Sequence, residues 1–163
     1  MSNAMTQEEL NEALLRAAEG GNARWVGKLL KQGARVDATE RDGWQPLHFA
    51  AALNRREVAG LLIEKGAKVD AKSTSGWRPL HYAARQGYRE MIALLLEHGA
   101  DPEALNDKGE TPRKVCNDLE NRDFLEKAEQ DPVLQEKRKL DDLSAIRVHV
   151  RQLGSLRQKV PTL

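Results

Sequence analysis

Three kinds of side chain in this chain could do chemistry: two histidines in matching settings, one cysteine and a few loop carboxylates. His48 and His81 stand 33 residues apart, each directly behind a Pro-Leu pair. An imidazole so placed can ligate a metal, carry a proton or hold backbone. Metal ligation needs a cluster, and the four histidines and single cysteine show neither C-x-x-C nor H-x-x-x-H spacing. Cys116 would need a neighbouring base to act as a thiol nucleophile. Asp107 and Glu110 lie in a polar stretch and read as solvated loop charges. No Gly-rich phosphate loop, G-x-S-x-G or H-E-x-x-H occurs. The expectation is a chain that is not an enzyme, with no catalytic residue, no metal and no cofactor.

The histidines belong to something larger. Gly43-Trp44-Gln45-Pro46-Leu47-His48-Phe49-Ala50-Ala51 returns as Gly76-Trp77-Arg78-Pro79-Leu80-His81-Tyr82-Ala83-Ala84, an offset of 33 residues. It returns degraded as Gly109-Glu110-Thr111-Pro112. Leu29, Leu62 and Leu95 share the frame, as do Gly33, Gly66 and Gly99, and Ala17-Ala18 precede Ala50-Ala51 by the same 33 residues. Four units follow, about 6–38, 39–71, 72–104 and a shortened 105–130. A repeat of this length marks a solenoid, and a stack of like units makes an extended surface rather than a closed cleft.

Each unit reads as helix, turn, helix and loop. Pro46 and Pro79 suit a first helical turn, where no amide partner is required. The Ala-Ala pair thins that helix so that neighbours approach. Val58, Leu61 and Leu62, and likewise Met91, Ile92, Leu95 and Leu96, fall at helical spacing and read as core. Gly33, Gly66 and Gly99 sit where a left-handed residue ends a helix. Gly21, Asn54 and Gly87 fill the matching site after the first helix. In this frame Cys116 takes the place of Ala83 and reads as a packed thiol.

The Pro-Leu-His-x-Ala-Ala motif with Gly-Ala at the same period resembles ankyrin repeats, over roughly residues 6–130. The resemblance implies an all-α solenoid of four helix–turn–helix units with β-hairpin-type loops, the first and last acting as caps. The family usually carries Thr before Pro-Leu-His, its hydroxyl bonding the His ring. This chain has Gln45 and Arg78 there, with Thr111 only in the last unit. The usual Thr–His link must therefore be missing or replaced, while His48 and His81 still bond backbone between units.

The resemblance also implies a protein partner, met by the loop fingertips and the exposed side of the first helices. Trp44 and Trp77 fall at two fingertips, Glu110 at the third. Either the tryptophans project side by side as interface anchors, or each folds down onto a neighbouring finger. The same carry-over places Arg41, Ser75, Ala52, Leu53, Arg85 and Gln86 on the concave face, with Arg56 and Arg89 extending it. Leu53 and Ala52 are expected to be exposed, making the second unit the more apolar one. Phe49 and Tyr82 are expected to pack between units, and Trp25 to shield the core of the first.

The repeat stops near Gln130. Asp131-Pro132 is a helix-start signal, and Leu140, Leu143, Ile146, Val150, Leu153 and Leu156 form an amphipathic stripe flanked by Arg147, Arg151 and Arg157. Gly154 weakens the end of this C-terminal amphipathic helix and Pro161 stops it. Within the extension, 131–163, three readings stay open: docking on the last unit, pairing with a second chain or partner helix, or ordering only when bound. Contact through Leu140, Leu143, Ile146, Val150 and Leu153 would allow self-association, although about two heptads are short for a coiled coil.

Charge and composition narrow the rest. Net charge is +1, so no strong field draws nucleic acid. The tail is basic without aromatic residues, which disfavours both nucleic acid and a membrane surface. No apolar run reaches the roughly 18 residues of a membrane span. One cysteine and no visible secretory signal point to the cytoplasm, with the nucleus as the alternative. Met1–Ala4 reads as an expression-tag remnant ahead of a start at Met5. The leading reading is a non-catalytic interaction module, an adaptor or regulator. The alternatives are a structural or oligomerising subunit that works through its tail, and an inhibitor that covers an enzyme's site.

Overall fold

Thr6 opens the first helix. Its hydroxyl accepts from the Glu9 amide at 3.2 Å, and the Glu9 carboxylate accepts from the Thr6 amide at 2.7 Å. This reciprocal cap satisfies two of the amides that a helix start leaves without partners. In the computed structural model, which describes residues 4–136 and 139–140, the helices come in pairs: α1 (Gln7–Gly20) with α2 (Ala23–Lys31), α3 (Pro46–Ala52) with α4 (Arg56–Glu64), α5 (Pro79–Gln86) with α6 (Arg89–Glu97), and α7 (Pro112–Val115) with α8 (Leu119–Glu129). The first helices of the pairs pack in a row, α1 on α3 on α5 on α7, and α2, α4 and α6 form the second layer.

Small side chains set the first row. Ala18, Ala50, Ala51, Ala83 and Ala84 are wholly buried, and their small side chains let these helices pack closely. Leu47 and Leu80, in the first turn of α3 and α5, and Leu29, Leu62 and Leu95 from the second layer complete one continuous core from Leu10 to Leu125. Val58, Met91, Ile92 and Leu96 are buried in it and Leu61 is half-buried, as helical spacing implies. Cys116 is fully buried at the position of Ala83, and burial pushes its thiol pKa up, away from the reactive thiolate.

The turns obey the left-handed requirement. Gly21 and Gly87 follow α1 and α5 at φ 76° and 75°, and Asn54 does the same after α3 at φ 56°. Asn is the residue besides Gly that tolerates this region best. Between pairs the chain makes finger-like loops. In each, one amide bonds across to a carbonyl four residues on: Glu40 to Trp44 at 3.2 Å, Ser73 to Trp77 at 2.9 Å, and Asn106 to Glu110 at 3.0 Å. The fingers are therefore hairpin turns, with no strand assigned among the described residues. Adjacent fingers are stitched together by Thr74 N–H to the Asp42 carbonyl at 3.0 Å and Asp107 N–H to the Ser75 carbonyl at 3.1 Å.

After α8, residues 132–136 are helical, and the Asp131 carboxylate accepts from the Val133 amide at 2.8 Å. Leu140 is 59% exposed. Leu143, Ile146, Val150, Leu153 and Leu156 lie outside the described residues.

Candidate functional site

The fingers stand where they do because of the two buried histidines. The His48 Nδ1 accepts from the Gln45 amide at 2.9 Å, and its Nε2 faces the carbonyls of Ala71 at 3.0 Å and Trp77 at 3.3 Å. An amide can only donate and a carbonyl only accept, so the ring proton belongs on Nε2. His81 repeats the arrangement, accepting from the Arg78 amide at 3.2 Å and donating to the Glu110 carbonyl at 2.9 Å. Each ring thus fixes the start of its own first helix and reaches forward to the next finger. Burial pushes both histidines below their ordinary pKa, with the Arg78 charge adding to the shift at His81. Both nitrogens are committed to backbone, so these rings are struts rather than acids or bases.

This also answers the Gln45 and Arg78 departure. Neither side chain caps its helix; the histidine ring supplies the bond to the capping residue's amide instead. Gln45 Oε1 and Arg78 Nε are buried without a hydrogen bond, although Arg78 Nη1 comes within 3.7 Å of the Asp70 carboxylate. Thr111, by contrast, caps α7 with its own hydroxyl, accepting from the Lys114 amide at 3.2 Å.

Trp44 and Trp77 are half-buried and interleave with other rings. Trp44 lies 5.0 Å from Phe49 and 4.4 Å from Tyr82, centroid to centroid, and Trp77 lies 5.0 Å from Tyr82. Both also lie over their own unit's histidine. At the far side the Arg85 guanidinium sits 5.4 Å from the Trp77 ring. The order Phe49, Trp44, Tyr82, Trp77, Arg85 makes one continuous aromatic row with a cation at its end. Such tilted ring pairs are each worth about 0.5–1.5 kcal/mol beyond burial. Phe49 and Tyr82 are members of this row and half-buried like the tryptophans.

Other expected surface residues divide. Arg41, Leu53, Ser75, Arg85 and Gln86 are exposed, Leu53 at 39%. Ala52 is not: it is 8% exposed, so of that pair only Leu53 reaches the surface. The methyl of Ala52 is too short to clear its neighbours, while Arg85, one repeat later, reaches past them. Arg56 and Arg89 begin α4 and α6, beyond the helix–helix turn and at the far end of α3 and α5 from the fingers. Arg89 stacks on Phe124 of α8, 4.6 Å from its ring centroid, and so ties the third pair to the fourth. These two arginines do not extend the aromatic row. Trp25 is 36% exposed, with the Lys28 ammonium 5.1 Å from its ring, and lines an open groove with Met5 at the α1 end of the stack.

One feature escaped the sequence. A cleft of about 530 Å³ is lined by Glu12, Leu15, Arg16 and Glu19 of α1, by Glu40, Arg41 and Asp42 of the first finger, and by Phe49. Its carboxylates come from two segments more than twenty residues apart, and each alone reads as an ordinary solvated charge.

Among the described residues no group of three or more His, Cys, Asp or Glu could hold a metal ion, and no helix is long and apolar enough to cross a membrane. A family model for ankyrin repeats, in three copies, matches residues 14–106. A search of curated proteins finds none that matches the chain.

Proposed function

Because the chain belongs to the ankyrin-repeat family, whose domains are generally protein–protein interaction modules, we propose that it is a non-catalytic adaptor or regulator that binds a protein partner on its finger and first-helix face. The four helix pairs are read as four repeat units, the last serving as a cap. The observation that carries the proposal is the aromatic row. Phe49, Trp44, Tyr82 and Trp77 leave a half-buried aromatic strip with the exposed Arg85 at its end. Rigid aromatics beside an arginine are the composition of interface hot spots, where a truncation typically costs on the order of 2 kcal/mol or more. An inhibitor that covers an enzyme's site would use the same face. A cytoplasmic or nuclear setting fits this reading, and nucleic acid and membrane have no part in it.

A second reading rests on the extension. Val133 and Leu140 expose 75% and 59% of their surface. A structural subunit would cover such residues with a second copy or a partner helix.

Capture from lysate separates the two. Tagged full-length chain is compared with Leu53→Asp/Arg85→Glu, whose side chains are exposed, and with a chain lacking 131–163. Loss of the same recovered protein from the face variant, at unchanged melting temperature, supports the finger face. Loss only on removal of the tail overturns it in favour of the extension.

A further inference from the structure

The aromatic row does not end in the same way at its two sides. At one side stands Arg85. At the other, Phe49 touches Trp44 and also forms part of the cleft beneath the first finger. Leu15 and Phe49, both half-buried, give that cleft an apolar floor. Arg16 and Glu12 on its rim pair with each other, which leaves three carboxylates, Glu19, Glu40 and Asp42, against one arginine, Arg41. The volume of about 530 Å³ lies within the range of about 300–1,000 Å³ typical of ligand pockets. The face is therefore apolar in the middle, acidic at the α1 end and basic at the α5 end.

We infer that this face docks an extended peptide segment whose Lys or Arg side chain enters the cleft between α1 and the first finger, while the adjoining apolar residues lie along Phe49, Trp44, Tyr82 and Trp77. The inference rests on the finger-face reading above and adds the chemistry and the polarity of the partner. A long cationic side chain suits the cleft on both counts. Its methylene stem covers Leu15 and Phe49, and its charged head stays at the wet rim among the carboxylates. An acidic segment would meet like charge there, so the same rim that attracts one partner repels the other. Arg85, at the Trp77 end of the row, repels a second cation there, which sets the basic end of the segment at α1.

The charges can be reversed without touching the scaffold. Glu40 and Asp42 hold the finger through their backbone groups, Glu40 N–H to the Trp44 carbonyl and the Asp42 carbonyl to Thr74. Three fluorescein-labelled peptides serve as probes: two arginines joined to a Leu-Pro-Leu block, the same peptide with glutamines for the arginines, and the same with glutamates. Each is made in both block orders. Anisotropy titrations use the full chain, Glu40→Lys/Asp42→Lys, and Glu19→Lys on the exposed face of α1 as an independent variant. The wild type is expected to bind an arginine peptide about tenfold or more tightly than its glutamine partner, with the glutamate peptide weakest. Both variants are expected to erase that preference and leave glutamine-peptide binding in place. Preference retained in both variants overturns the inference, as does a wild type that binds all three peptides alike; in the latter case the aromatic face still stands as a binding surface. Binding of no peptide also overturns it, and the lysate capture then judges the wider reading separately.

Discussion

The two middle helix pairs and the last pair solve the same problem by different means. In the middle pairs a buried histidine holds the start of the first helix and reaches forward to the next finger, His48 to Trp77 and His81 to Glu110. In the last pair Lys114 stands at the histidine position, exposed, and Thr111 caps α7 unaided. The difference follows from what lies ahead. A ring donating through Nε2 is useful only where a following finger offers a carbonyl. Beyond α7 the chain breaks at Cys116, extended at ψ 127°, and Asp118 caps α8 at once through the Asn121 amide at 2.7 Å. The motif degrades where its hydrogen-bond partner ends.

The sharpest way to break this comparison is to delete the two side chains in parallel. His81→Ala removes a fully buried ring and leaves the Arg78 amide without a partner, while the Glu110 carbonyl keeps only the Asn106 amide. One group left unpaired costs about 1–3 kcal/mol and the lost ring packing adds to it, so a loss of roughly 2 kcal/mol or more is expected in urea unfolding. Lys114→Ala touches an exposed side chain and should stay within about 0.5 kcal/mol of wild type. Equal losses would mean that the forward link from His81 contributes nothing.

A glycine pair sharpens the same contrast at the fingertips. Gly76 and Gly109 hold matching positions and nearly the same backbone, φ 73° and 69°. A methyl on Gly76 would run into the Asp107 backbone nitrogen at 2.8 Å, whereas one on Gly109 would meet nothing within 4 Å. Gly109→Ala should therefore cost only the left-handed penalty, about 1–2 kcal/mol. Gly76→Ala should cost visibly more, because the next finger must shift as well. Thermal unfolding of the two variants gives the order directly, and a reversed order would show that the fingers are not held against each other.

The repeat frame was legible because its signals are periodic and local. The alanine pairs, the leucine row, the left-handed positions at Gly21, Asn54 and Gly87, and the buried Cys116 each follow from one residue type at one place. What the sequence hid depends on reach and company. Ala52 shares a frame position with exposed Arg85 but is too short to emerge. Arg89 looks like a free surface charge until Phe124, from a helix thirty residues on, is placed beneath it. The substitutes for the missing Thr were hidden too, since the histidine ring makes the bond whatever side chain precedes proline. The cap at Thr6 and Glu9 is the reverse case, a legible Thr-x-x-Glu pattern that repeat-centred reading passes over. The acidic cleft could not be read at all, because only the packing of α1 beside the first finger brings Glu19 near Glu40.

The smallest effect belongs to pH, since protonation leaves each ring filling its site. His48 and His81 are held below the ordinary value near 6.5, chiefly by burial. The unfolded chain takes up these protons first, so above 6.5 the stabilisation from neutral rings is fully present. It falls as pH drops below 6.5 toward the depressed folded values. Geometry gives the same sign: a proton added at Nδ1 would point a donor at the Gln45 or Arg78 amide, itself a donor. Melting temperatures between pH 7.5 and pH 5 should decline, and in His81→Gln, with one such group left, the decline should be shallower. Lys114→Ala should follow the wild-type curve. An unchanged slope in His81→Gln would place the acid sensitivity elsewhere and separate the middle pairs from the last by packing alone.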